Sequence, residues 1–359
     1  MKHQIFGICA AAFLTVSCVS GPANGAGTTS ENAQFARAES MRTGDGGVRD
    51  PVTAFAMMTT LAQAGHGRAQ DTLAYYFWRG ISVVADPDQA AFWYLRAIEN
   101  GRETSRIPYS KLLLEMEMRA SALEQLLIAV GLDLNGAKAE LAANHVDKKY
   151  GARSHPQQGK SDLSDLARDG DVYAMRLVLI KMSQGHEFPL DQVALLDSAL
   201  AISRDPDNRM RAKIAEALLP YLRMSVGRKA LDIRQELLAV PGLRQKVWLA
   251  EALYLTADLQ PRSFWTDAER IVDQADRDTY ARVLFLTSRL SKNAYVRLLQ
   301  KALKQRGYYT GRATGYLTKQ TLQSFARYCR DHNLLETCRL GPLRSQVIKD
   351  MSKSLAQSG

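Results

Sequence analysis

Residues 67–101 read GRAQDTLAYYFWRGISVVADPDQAAFWYLRAIENG, and their pattern repeats the one found 36 positions earlier. Under this shift small residues return to small positions, bulky residues mostly return to bulky positions, and two glycines and an aspartate recur. The matched pairs are Ala74 with Ala38, Phe77 with Met41, Gly80 with Gly44, Asp86 with Asp50, Ala90 with Ala54, Trp93 with Met57, Tyr94 with Met58, Ala97 with Leu61 and Gly101 with Gly65. Self-similarity at such a period indicates a solenoid of stacked repeats.

Each copy of the repeat predicts a pair of helices. Gly80 follows a first helical pattern as its C-cap, where glycine adopts the left-handed conformation at little cost. Asp86-Pro87 then supplies an N-cap and a proline at the first position of a second helix. In that second helix Trp93 and Tyr94 share one face with two alanines, so we expect them to pack in the core rather than form a ligand platform. The predicted structural positions of the repeats are Gly44, Ala54, Gly65, Gly80, Ala90, Trp93, Tyr94 and Gly101.

These residues resemble the Sel-one-like repeat, a relative of the tetratricopeptide repeat (TPR). The resemblance rests on Leu73-Ala74, Phe77, Gly80, Asp86, Gln89-Ala90, Trp93-Tyr94, Ala97-Ile98 and Gly101, with a weaker copy at 31–66. It implies an all-α fold, a TPR-like solenoid of helical hairpins whose concave surface binds proteins or peptides. A degenerate copy is expected around Gly170-Asp171, and the sequence from about 103 to 290 has helical patterns throughout.

The first residues, MKHQIFGICAAAFLTVSC, have the features of an export signal, a positive charge followed by a short apolar run. Residues 14–18 resemble a bacterial lipobox, although Thr15 occupies a position where leucine is usual. The resemblance implies that Cys18 is lipidated and, since no aspartate follows it, that the protein is sorted to the outer membrane. The alternative is an ordinary signal peptide that is cut near Ala23 or Ala26.

The sequence from Tyr295, YVRLLQKALKQRGYYTGRATGYLTKQTLQSFARYC, differs from what precedes it. A helical pattern ends at Gly307, a turn rich in glycine and tyrosine follows, and Thr318 can cap another helix. The stretch resembles the peptidoglycan-binding-like domain found at the ends of many cell-wall hydrolases. The matching residues are Val296, Leu299-Gln300, Leu303, Gly307-Tyr308-Tyr309, Gly311, Thr314-Gly315, Thr321 and Phe325, with Thr314 in place of the usual aspartate and Ala326 in place of a glutamine. The resemblance implies a small helical domain that either binds glycan or serves only as a folded adaptor.

Positive charge is concentrated at this end of the chain. Residues 281–359 contain 15 Lys and Arg against 3 Asp and Glu, a net charge of +12, whereas the whole chain carries +10. Clustered charge attracts anions, and for an exported protein these are peptidoglycan carboxylates, acidic exopolysaccharide or lipid phosphates rather than nucleic acid. A merely solvated basic surface is the alternative. The predicted glycan- and anion-binding residues are Arg306, Tyr308, Tyr309, Arg312 and Lys319.

Of the four cysteines, Cys9 lies in the apolar run and Cys18 would carry lipid, which leaves Cys329 and Cys338. An oxidising compartment predicts a disulfide between these two. No Cys or His spacing in the sequence is typical of a zinc site.

No pattern of catalytic residues stands out. The six histidines show no HExxH or other close metal spacing, and the sequence contains no GxSxG, P-loop or Rossmann fingerprint. Glu115 and Glu117 are two positions apart, so on a helix they diverge and cannot easily act as an acid–base pair. We therefore expect no enzyme activity, no cofactor and no metal.

These patterns together divide the chain into segments. The predicted segments are a signal peptide at 1–18, a flexible tether at 19–30, a repeat solenoid at 31–147, a loop at 148–161, degenerate helical repeats at 162–290, a peptidoglycan-binding-like domain at 291–345 and a tail at 346–359.

A lipobox-like start followed by Sel-one-like repeats resembles the outer-membrane scaffold lipoproteins of alginate and related exopolysaccharide export systems. The resemblance covers only the N-terminal part of the chain. It implies a non-enzymatic periplasmic scaffold, lipid-anchored to the outer membrane, that holds envelope proteins on its repeats. The C-terminal module would contact peptidoglycan or acidic polysaccharide. The alternative is a cell-wall hydrolase or a regulator of peptidoglycan remodelling, because this kind of C-terminal domain accompanies such enzymes.

Overall fold

The computed structural model describes residues 27–44, 49–225 and 227–357. The predicted signal peptide, Cys18 and most of the predicted tether therefore lie outside the described residues. Within the described ranges all regular structure is helical, which confirms the predicted all-α fold. The chain divides after Gly159 into two compact units.

The first unit is built from helices that each pack on the next one along the chain. They are α1 (Thr29–Thr43), α2 (Pro51–Gln63), α3 (Gly67–Arg79), α4 (Pro87–Glu99), α5 (Arg106–Glu115), α6 (Arg119–Gly131) and α7 (Ala137–Val146), with short 3-10 helices at Glu103–Ser105 and Gly151–Arg153.

The repeat is visible in the backbone hydrogen bonds of the first unit. Gly80 ends α3 in the left-handed conformation with φ of +65°. The chain then turns back so that the Asp86 N–H donates to the Phe77 carbonyl at 2.9 Å. The Asp86 side chain caps α4 by accepting from the N–H groups of Asp88 and Gln89. The equivalent residues one repeat earlier are Gly44 (φ +84°), Asp50 and Met41, and there the backbone bond is 2.8 Å long.

Fully buried alanines and large side chains alternate in the core of this unit. The alanines of the repeat pattern, all without measurable exposure, are Ala38, Ala54, Ala74, Ala90 and Ala97. Tyr94 is 1% exposed and its ring contacts those of Trp78 and Tyr109, each at a centroid distance of 6.2 Å. Trp93 is half-buried and packs against the same core. Both members of the Trp93-Tyr94 pair therefore pack internally.

Buried polar groups connect successive helix pairs. His66 caps α3, since its Nδ1 accepts the Ala69 N–H at 3.1 Å, and its Nε2 lies 3.2 Å from Asn32 Oδ1 in α1. Burial lowers the pKa of His66. The neutral ring, with its proton on Nε2, satisfies both contacts, so a single histidine fixes α1 against the start of the next repeat.

The second unit continues with helices of the same kind. They are α9 (Val172–Ser183), α10 (Gln192–Arg204), α11 (Arg211–Leu222), α12 (Arg228–Leu237), α13 (Gln245–Leu259), α14 (Phe264–Val272), α15 (Arg277–Leu290), α16 (Lys292–Gln305), α17 (Lys319–Asp331), α18 (Leu335–Cys338) and α19 (Ser345–Gln357), preceded by α8 (Pro156–Arg168). The degenerate repeat predicted near Gly170 corresponds to the pair α9–α10. Asp171 and Asp191 cap its two helices, and Gly185 follows the first of them at φ +90°.

One hydrophobic core extends over α13 to α19. Val283 and Leu284 of α15 are buried in it together with Ile348 and Met351 of α19. The predicted boundary near residue 291 is therefore wrong, because residues 291–345 share their core with the helices that precede them. The signature of the C-terminal module is local, whereas its packing partners lie earlier in the chain.

Three other predicted segments also differ from the structure. The tail at 346–359 is wrong, since α19 buries Val347, Ile348, Met351 and Leu355 on one face. The loop at 148–161 ends early, because Pro156 begins α8 and proline is well accommodated in the first turn of a helix. The tether at 19–30 overlaps α1, where Thr28 and Glu31 form a capping box.

Gly80→Ala and Gly101→Ala are expected to lower the free energy of unfolding by about 1 kcal/mol each, because alanine is strained at positive φ. At Gly101 (φ +80°) a new Cβ would meet no described atom within 4 Å, so that variant isolates backbone strain. Gly131→Ala is the control, since Gly131 is helical and also has open space around it. Urea denaturation measures all three variants. Equal stability for the three would contradict the left-handed turns.

Candidate binding surfaces

The C-terminal loop, residues 306–318 between α16 and α17, is held by one buried side chain. Gln300 of α16 is fully buried, and its Oε1 accepts the Gly315 N–H at 2.9 Å. Its Nε2 donates to the Tyr316 carbonyl at 2.9 Å and to Thr321 Oγ1 at 2.8 Å. Gln300, one of the residues that carry the family resemblance, thus fixes the second half of the loop, where Arg297 of α16 also donates to the Ala313 carbonyl at 2.6 Å.

Tyr309 and Tyr308 do not offer free rings to a sugar. Tyr309 is 4% exposed and its hydroxyl donates to the Arg312 carbonyl at 3.0 Å, so its predicted glycan contact is wrong. Its ring fills the interior of the loop, where Gly311 leaves room for it. Tyr308 is half-buried, its ring lies 5.2 Å from that of Tyr328, and its hydroxyl donates to Asp331. That hydrogen bond raises the pKa of Tyr308.

The three predicted basic residues differ in their surroundings. Arg306 is half-buried, and its guanidinium donates to the Leu355 carbonyl at 2.6 Å and the Ala302 carbonyl at 3.1 Å. It therefore ties the end of α16 to the end of α19, and its guanidinium is engaged by backbone carbonyls at the position where anion binding is predicted. Arg312 and Lys319 are exposed.

The sequence analysis missed an aromatic patch formed by Tyr316 and Trp265. Tyr316 is 60% exposed and its ring packs edge-on against that of Trp265 in α14, at 5.9 Å between centroids. Gly315 permits this approach, because a Cβ there would lie 3.0 Å from the Trp265 ring. The signal available in the sequence was a tyrosine directly after a glycine in a turn. Its partner could not be read locally, because Trp265 lies in a distant helix.

Part of the C-terminal positive charge is neutralised inside the second unit. Arg297 and Lys301 of α16 each lie 3.0 Å from Glu269, and Lys301 also lies 2.6 Å from Asp273. Glu269 lies in α14 and Asp273 directly follows that helix, so both acids are outside residues 281–359. The net charge of +12 for that segment therefore overstates the positive charge that is not already paired. The basic residues that stay exposed include Lys292, Lys304, Arg312, Lys319, Arg330, Arg344, Lys349 and Lys353.

A disulfide joins Cys329 of α17 to Cys338 of α18, with Cα atoms 6.4 Å apart. Both cysteines are buried in the core that contains α19. Because α18 is only four residues long and buries little surface of its own, the bridge is the main covalent constraint on its position.

The first unit exposes apolar side chains on its repeat helices. Tyr75 of α3 and Phe92 and Leu95 of α4 are each between 41% and 45% exposed. The guanidinium of Arg96 lies 5.4 Å from the centre of the Phe92 ring. These side chains are available for contact with a protein partner.

Among the described residues, no group of three or more His, Cys, Asp or Glu side chains is placed to hold a metal ion. In the same part of the chain no helix has both the length and the apolar character required to cross a bilayer.

Comparison with known families accounts for the repeat. The Sel1 repeat model matches residues 32–66 and 67–101. These are the two copies that the sequence analysis identified from the similarity between positions 36 residues apart. Two segments of the chain thus match the Sel1 repeat. The matched segments correspond to α1–α2 and α3–α4, and the fold of Sel1 repeats is typical of protein–protein interaction.

Two solved structures are similar in part. One is a Sel1 repeat protein from Oxalobacter formigenes, with 17% identity and a TM-score of 0.36 over 60% of this chain and 81% of that chain. The other is a protective antigen present in uropathogenic Escherichia coli strains and displaying an SLR fold, with 12% identity and a TM-score of 0.37 over 91% and 88%. No curated protein matches the chain.

Arg306→Glu is expected to lower the free energy of unfolding by about 2 kcal/mol, because it removes charge-assisted hydrogen bonds to two carbonyls and sets a carboxylate against them. Lys319→Glu makes the same change of charge at an exposed position in the first turn of α17, where an acidic residue is favoured by the helix dipole. It should leave stability unchanged or slightly raised. Thermal unfolding of both variants decides the matter, and an equal loss in both would show that net charge, not the Arg306 contacts, is responsible.

Proposed function

We propose that this protein is a non-enzymatic scaffold of the periplasm, anchored to the outer membrane by lipid on Cys18. The observation that carries the proposal is the combination of two Sel1 repeats with a basic, partly aromatic surface near the other end of the chain. The repeats would hold envelope proteins. The C-terminal surface would contact an acidic glycan, either peptidoglycan or an exopolysaccharide such as alginate.

The aromatic patch replaces the predicted tyrosine pair as the place of sugar contact. Tyr316 presents most of its ring to solvent, and Trp265 supports that ring from one edge. Arg312 and Lys319 lie on the same loop and at the start of the helix that follows it, and both are exposed. Ring faces suit the apolar faces of sugars, and cations attract uronate or peptide carboxylates.

The proposed location is supported by the residues before the described part of the chain. An apolar run, the lipobox-like residues 14–18 and a polar stretch after Cys18 follow in that order. The disulfide between Cys329 and Cys338 is in keeping with an oxidising compartment.

Co-sedimentation of the full chain with purified sacculi, and separately with alginate, tests the glycan contact. Binding is expected at low salt and should weaken towards 0.5 M, where the Debye length falls to roughly 4 Å. Arg312→Glu with Lys319→Glu should weaken it further. Tyr316→Ala should reduce binding at high salt as well, because stacking on a ring is not screened by ions.

The control is Arg209→Glu with Lys229→Glu, which makes the same change of net charge at two exposed positions outside the loop. Equal losses of polymer binding in the control and in the loop variant would show that net charge, rather than the loop residues, determines binding. A wild-type chain that ignores both polymers at low salt would refute glycan contact, and release of soluble fragments from the sacculi would contradict a non-enzymatic role.

Labelling of cells with a palmitate analogue tests the lipid anchor. The wild type should be marked and should fractionate with the outer membrane, whereas Cys18→Ser should be unmarked because it lacks the thiol that carries the lipid. Cys9→Ser is the matched control and should label like the wild type. Equal labelling of wild type and Cys18→Ser, or labelling of neither, would exclude the lipoprotein.

A further inference from the structure

The second unit contains a cavity of about 330 Å³ between α9, α11, α13 and α15, lined by six cationic side chains. The volume is within the range of pockets that hold ligands, about 300–1,000 Å³. The cations are Arg176, Lys213, Arg223, Arg244, Lys246 and Arg282, and the lining contains two acids, Glu216 and Glu251. We call this site the cationic cavity.

The two acids are already engaged with arginines. Glu216 accepts from the backbone N–H and the guanidinium of Arg244, at 2.8 and 2.9 Å. Glu251, whose side chain is 2% exposed, accepts from Arg234 Nε at 2.6 Å and lies 3.3 Å from Arg223 Nε. The acids therefore stabilise the wall of the cavity and leave its other cations uncompensated.

Four of the lining cations have no carboxylate partner among the described side chains. They are Arg176 on α9, Lys213 on α11, Lys246 on α13 and Arg282 on α15, and none of them forms a hydrogen bond or ion pair with a described residue. Like charges on four helices around one concave wall produce a field that attracts an anion, and the concavity concentrates that field. The arrangement fits a ligand that carries more than one negative charge.

The remaining lining points to the kind of anion. Ile180, Pro220 and Val247 add aliphatic surface between the cations. No aromatic ring among the described residues lines the cavity, so a sugar would find no stacking surface here, in contrast to the aromatic patch of the C-terminal loop. Aliphatic surface beside cations suits a peptide in which acidic and aliphatic side chains alternate.

We propose that the cationic cavity binds an acidic segment of a protein partner, with Asp or Glu carboxylates at the unpaired cations and aliphatic side chains against Ile180 and Val247. The inference deepens the scaffold function proposed above, since it states the chemistry by which the helical part holds one of its partners. It does not depend on the glycan contact of the C-terminal loop.

The test is fluorescence polarisation of the full chain with a short fluorescein-labelled peptide composed of Glu and Leu. A peptide with Gln in place of each Glu serves as its neutral twin. The acidic peptide should bind, and the neutral twin should bind at least about tenfold more weakly. Lys213→Glu with Lys246→Glu should weaken binding of the acidic peptide by about tenfold or more, as expected when like charges replace opposite ones.

Arg312→Glu with Lys319→Glu is the matched control, because it changes the net charge equally outside the cavity and should leave peptide binding unchanged. Equal loss in the two double variants, no loss in the cavity variant, or no binding by the wild type would overturn the proposal. Displacement of the peptide by oligouronate or inorganic phosphate at lower concentrations than unlabelled peptide would also overturn it, since the occupant would then be another anion.

Circular dichroism checks that the cavity variant is folded. Should it unfold, Lys213→Gln alone, at an exposed position, is expected to weaken peptide binding and gives the same decision. The cavity variant should still bind sacculi or alginate as the wild type does. Loss of peptide binding with retained glycan binding separates this site from the glycan contact, and an absence of peptide binding in a wild type that sediments with glycan would refute only the cavity.

Discussion

Neighbouring helices in both units approach each other at fully buried alanines, and this close approach is the constraint on which the rest of the structure depends. The alanines with 1% exposure or less include Ala38, Ala54, Ala74, Ala90 and Ala97 in the first unit and Ala174, Ala199, Ala215, Ala268 and Ala294 in the second. A methyl group allows helix axes to lie near the short end of their usual range, about 8 Å. Larger side chains such as Tyr94 then fill the space to the next helix. In the first unit each helix packs on the next one along the chain, so stability accumulates from one helix pair to the next.

Turns keep these helices in register, and they do so by local means. Left-handed Gly80, the bond from Asp86 to Phe77 and the Asp86 cap determine where one helix ends and the next begins. The C-terminal loop uses a longer-range device, since Gln300 reaches across from α16 to hold it. This loop therefore depends on the packing of α16, which lies in the core that the C-terminal module shares with α13–α15.

Predictability from the sequence follows the same division. The helix pairs were predictable because helix caps and glycine turns depend on residues only a few positions apart in the sequence. Exposure was not, because it depends on partners far along the chain: Tyr309 is enclosed by its own loop, and Arg306 is bound by the end of α19. The prediction of a tail at 346–359 is wrong although the apolar residues of this segment recur at helical spacing, because the core that they enter is formed by helices earlier in the chain. Trp265 could be placed beside Tyr316 only after α14 was placed.

The net charge of a segment is also a poor guide to where this protein can bind anions, because it counts cations that are already paired. Arg297 pairs with Glu269 and Lys301 pairs with Asp273. Arg306 donates its hydrogen bonds to backbone carbonyls. In the cationic cavity the two acids pair with arginines of the wall, whereas Lys213 and Lys246 have no carboxylate partner among the described residues. Unpaired cations on an open surface cost little, but several around one concavity repel each other. An anion that enters the cavity relieves this repulsion, and any ligand that binds only the folded state stabilises it. An acidic partner in the proposed site would therefore stabilise the folded second unit.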